Sequence, residues 1–155
     1  MTILDLSRRT APTRLMAAAQ SGGLHWAVRA GLGEAGLLTT VVTRTGSGGA
    51  VTFRVPDPAP RSGQLVSMWM DRTPGRPALL LLHTTPDVVH ASAVLASSGR
   101  CDVLLSRVIE DFRLRIGAVP LPDEDPLAGV EVRSTLRGAR LIELWRPPGR
   151  SVRAW

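Results

Sequence analysis

The chain has no lysine, no tyrosine and no asparagine, and a single cysteine, Cys101, among its 155 residues. One cysteine excludes an internal disulfide, and with it the stapled framework of a small secreted domain. No apolar run exceeds five residues, as in Ala78–Leu82. A helix that crosses a bilayer needs about 20, so no membrane span is expected. The three missing residue types use AT-rich codons, whereas the abundant Ala, Gly, Pro and Arg use GC-rich ones. All 19 basic residues are arginine, so arginine stands where lysine would serve in a less GC-rich coding sequence.

What is present fits a globular chain: 44% of residues are hydrophobic, and the length suits one domain with a sizeable core. Ser7-Arg8-Arg9-Thr10 has the look of a twin-arginine export core. The apolar stretch after it, Leu15–Ala19, is too short for a signal sequence, so a cytoplasmic location is expected. The formal charge is +6, but the arginines run from Arg8 to Arg153 without three in a row. A clustered patch is the usual footprint of nucleic-acid binding, so scatter makes that partner the lesser expectation.

Periodicity divides the chain into an arm or short strand over residues 1–10, one domain over 11–146 and a flexible tail over 147–155. Helices are predicted from about Thr10 to Gln20 and from Leu24 to Ala35. In the second, Leu24, Ala27, Val28, Gly31, Leu32 and Ala35 share a face at helical spacing. Strands are predicted over Leu37–Thr45, Val51–Val55 and Leu65–Asp71, the first two joined by Gly46-Ser47-Gly48-Gly49. Ala78–His83 reads as a central strand covered on both faces. Thr84-Thr85-Pro86-Asp87 looks like a helix start, giving helices over Pro86–Ser97 and Cys101–Ile116. Residues 118–129 read as a Pro- and acid-rich loop, and Val130–Leu136 with Ala139–Trp145 as a hairpin about Arg137-Gly138. The expected fold is α+β: a mostly antiparallel sheet with helices packed on a face and a C-terminal β-hairpin.

Chemistry is sparse. His83, Thr84 and Thr85 stand where a strand would meet a helix N-terminus, a place that can hold a phosphate or carboxylate. The plainer reading is that a threonine caps its own helix. His83 and His90 lack zinc-site spacing and one cysteine cannot complete a thiolate set, so no metal and no cofactor is expected. Cys101 falls on an inner stripe and reads as core. No Gly-x-Ser-x-Gly elbow occurs, and Asp123-Glu124-Asp125 lacks the glycine and alternation of a calcium loop. Catalytic residues are therefore not assigned.

Trp69, between Met68 and Met70, is weighed equally as core and as interface. With Arg72, Trp145, Arg146 and Trp155 it makes up the set of residue types favoured at protein interfaces. The segments Arg54–Pro60, Leu121–Pro126 and Ser134–Gly138 give part of the chain a resemblance to phage tail-terminator proteins, which would imply a small subunit forming rings of its own copies. The expected function is a non-catalytic protein-interaction or assembly subunit whose partner is another protein or itself. A small-ligand or phosphate site at His83–Thr85 is the alternative.

Overall fold

The computed structural model describes residues 14–21, 23–33, 36–46, 48–55 and 59–143. It is all-β, not α+β, with no helix among the described residues. The strands are β1 (Arg14–Ser21), β2 (Leu24–Gly33), β3 (Gly36–Thr45), β4 (Ala50–Val55), β5 (Val66–Asp71), β6 (Ala78–Thr84), β7 (Val88–Leu95), β8 (Arg100–Leu105), β9 (Arg115–Leu121), β10 (Leu127–Ser134) and β11 (Gly138–Glu143). They form a four-stranded sheet in the order β1-β2-β3-β4 and a seven-stranded sheet in the order β11-β10-β7-β8-β9-β6-β5, with antiparallel neighbours throughout.

Every expected helix is strand or turn within the described residues. In β2 the buried side chains are Leu24, Trp26, Val28 and Ala30, while His25 and Arg29 are exposed. That is a period of two. Ala27 and Gly31 are small enough to suit either period, so they fit a helical stripe as well as a strand. Thr85-Pro86-Asp87-Val88 is a β-turn rather than a helix start, closed by Val88 N–H donating to Thr85 O at 3.2 Å. Proline in the second position of a turn meets the same steric need as proline in a first helical turn. The expected helix Cys101–Ile116 is instead β8, a turn bridged by Ile109 and Leu114, and the start of β9. Leu104, placed on its inner stripe, is 83% exposed. The 118–129 loop shrinks to a turn, because its ends belong to β9 and β10.

β6 organises the core. Leu79 and Leu81 pack with Trp26, Val28, Val41 and Ile116 in the layer between the sheets, while Leu80 and Leu82 pack on the other side with Val88, Val130 and Val132. Residues from both ends of the seven-stranded sheet thus meet in one cluster, because the sheet curls into a half-barrel around them. The curl draws β8 hard against β9. A Cβ on Gly117 would lie 2.7 Å from Val103 Cγ1 and 2.8 Å from Leu104 O, closer than side chains tolerate. Only glycine fits there.

Candidate interaction surface

His83 lies on the face of β6 that looks toward the four-stranded sheet, and it is 1% exposed. Its Nε2 shares a 3.0 Å hydrogen bond with Thr39 Oγ1 on β3, and the imidazole tautomer sets which partner donates. Burial removes the water that would solvate an imidazolium, pushing the pKa down to about 4, so the ring is neutral at pH 7. Thr39 is itself fully buried, and the pair acts as a polar bridge between layers. A second bridge lies two inward residues along β3, where Arg76 donates to Thr43 Oγ1 at 3.0 Å.

The helix-terminus argument for a phosphate at His83, Thr84 and Thr85 does not apply, because a turn stands there. Most of the polar groups around it are engaged within the chain. Thr85 N–H donates to Leu65 O, the Thr84 hydroxyl to Thr85 O, and Arg115 Nε to Pro86 O. The Ser134 hydroxyl donates to the Asp87 carboxylate while accepting from the N–H groups of Leu136 and Arg137. This hydroxyl, above all, holds the Asp87 carboxyl below its ordinary value, with Thr85 and Arg137 acting in the same sense against the effect of burial. The segment ties β6–β7 to the β10–β11 turn.

Trp69 is half-buried between the sheets, its ring 5.7 Å from that of Phe53 on β4. Arg72 is exposed in the β5–β6 turn. Trp145, Arg146 and Trp155 lie outside the described residues. The half-buried Cys101 packs against the half-barrel core. Among the described residues no three of His, Cys, Asp and Glu gather as a metal site, and no helix is long and apolar enough to cross a membrane.

A different surface emerges from the register of the four-stranded sheet. On its outer face Gln20, His25 and Arg44 stand opposite one another on β1, β2 and β3. The next row is Ala18, Ala27, Val42 and Thr52, and the one after it Leu15, Arg29, Thr40 and Arg54. Directly opposed side chains in a sheet lie about 5 Å apart, so each row is a line of neighbours. The first two rows except Thr52, with Ala19, Trp26, Thr45 and Gly46, line a trough of about 650 Å³. Its floor is small and apolar, and one end is cationic and hydrogen-bonding.

Charge separates with the sheets. Residues 14–55 hold four arginines and one acid, Glu34, whereas residues 59–143 hold ten arginines and ten acids. The seven-stranded sheet also pairs charges across its outer face. Arg100 meets Glu131 at 2.6 Å, and the His90 imidazole, a cation only when protonated, lies 3.4 Å from Asp102. No carboxylate appears among the described residues of the four-stranded sheet. The expectation of evenly scattered arginine missed this, although the lack of acids from Arg14 to Val55, Glu34 excepted, was readable in the chain. No family model, curated protein or solved structure matches this chain.

Proposed function

We propose that the protein is a non-catalytic interaction or assembly subunit, working in the cytoplasm, that docks an acidic protein partner on the outer face of its four-stranded sheet. The observation that carries this reading is that the outer face of the four-stranded sheet bears Arg44 and Arg54 and no carboxylate among its described residues, beside a second sheet with as many acids as arginines. Arginine and imidazole make charge-assisted bonds to carboxylates, and an alanine–valine floor accepts small apolar groups between them. Excess charge of one sign also speeds encounter with an oppositely charged partner. The buried, neutral and structurally engaged His83 favours this reading over a ligand site at His83–Thr85.

A fluorescein-labelled oligoglutamate, followed by anisotropy, tests the reading. Binding should weaken with salt and be lost in Arg44→Glu and in Arg54→Glu, while Arg100→Glu on the other sheet leaves it nearly unchanged. Equal loss in all three variants would contradict a localised surface. Nucleic acid is the competing polyanion. Single strands stack on exposed aromatic side chains, whereas Trp26, which borders the trough, is 8% exposed and packs with the core, and Phe53 stands in register with the buried Val41. Tighter retention of an oligonucleotide than of oligoglutamate would favour it.

A further inference from the structure

We infer that the acidic partner of this face is a second copy of the chain, presented through its β9–β10 turn; the inference rests on the interaction reading above. That turn carries three consecutive acids, Asp123, Glu124 and Asp125, between Pro122 and Pro126. Asp125 accepts hydrogen bonds from the Ser97 N–H at 3.0 Å and from the Ser97 hydroxyl, anchoring the turn to the β7–β8 hairpin. Asp123 and Glu124 are exposed and make no ion pair among the described residues. The flanking prolines and the Asp125 anchor hold these two carboxylates ready, which lowers the ordering cost of docking.

The trough is complementary in charge and offers an apolar floor. Arg44, His25 and Gln20 offer donors for carboxylates, and Ala18, Ala27 and Val42 offer a floor for the proline rings. Both surfaces also belong to one end of the molecule. Arg76, which shares a crevice with Asp123 and Asp125, reaches across to Thr43 and to Gly49 O beside the β3–β4 hairpin. Two copies related by a two-fold axis can therefore exchange turns, each acidic turn in the other's trough, in the self-complementary manner of closed dimers.

Charge reversal tests this. Sedimentation or light scattering at low ionic strength should show the wild-type chain associating, with the association lost as salt rises. Arg44→Glu should be monomeric, and so should Asp123→Arg/Glu124→Arg; all three positions are exposed, so melting temperatures should stay near wild type. Mixing the two variants should restore association, because the reversed charges match again, and a chain carrying all three substitutions should regain it alone. Failure of the mixture to associate overturns the inference, as does association that survives both reversals. A wild-type chain that stays monomeric but binds oligoglutamate through Arg44 overturns the second copy and leaves the interaction reading standing. A monomer that binds no oligoglutamate overturns both.

Discussion

The two sheets share a wall of apolar side chains but treat charge in opposite ways. In the seven-stranded sheet arginines and acids are equal in number, and Arg100 on β8 reaches over β7 to pair with Glu131 on β10. In the four-stranded sheet, the inward row of β3 is threonine and valine, its threonines bonded to His83 and Arg76, while two of the three outward rows carry arginine about an uncharged one. One sheet is finished by its own residues. The other has an inner face completed by the molecule and, among its described residues, an outer face with arginine and no carboxylate.

The largest expected effect is on the wall itself. Leu81 is fully buried in the layer that joins the sheets, so Leu81→Ala should cost about 2–5 kcal/mol in urea denaturation. A loss under about 1 kcal/mol would mean that the sheets are not held by that layer.

The second effect is a pH dependence. His83 would titrate near 6.5 in the unfolded chain but near 4 in the fold. Between those values the unfolded state takes up a proton that the native state refuses. Stability is therefore complete above about pH 6.5 and falls as the pH drops toward 4, by on the order of 3 kcal/mol. His83→Gln keeps a partner for Thr39 and should flatten this slope. An unchanged slope in that variant would place the acid sensitivity elsewhere.

Next comes the bridge across the layers. Thr39→Val retains the shape of the side chain but strands the buried imidazole nitrogen, at about 1–3 kcal/mol. The smallest effect belongs to the outer surface of the half-barrel, where Arg100→Ala breaks an exposed pair at a cost of about 0–1 kcal/mol. A loss comparable to that of Leu81→Ala would show that the surface pairs of this sheet hold it closed.

How far these features are legible in the sequence depends on which signal each segment carries. Ala78–Leu82 announces a central strand because five apolar residues in a row suit burial on both faces. Arg137-Gly138 announces its hairpin through a glycine at φ 70°. The helices went wrong where small residues blur the period. Ala91, Ser92 and Ala93 are all buried in β7, so no polar alternation marks the strand. Thr84-Thr85-Pro86-Asp87 serves a turn and a helix start equally well by local chemistry, and tertiary pairing decides between them. The proposed surface is hidden in the sequence for another reason. Gln20, His25 and Arg44 are far apart in the chain and become a row only through strand register.

The account depends on an acidic partner meeting the four-stranded sheet rather than the half-barrel. Backbone amide shifts of the isotope-labelled protein, followed during titration with oligoglutamate, test this most directly. The perturbed amides should cluster at Ala18–Gln20, His25–Ala27 and Val42–Thr45, with β7, β8 and β10 still. Shifts centred on β7, β8 and β10, or none on β1–β3 at saturation, would contradict it.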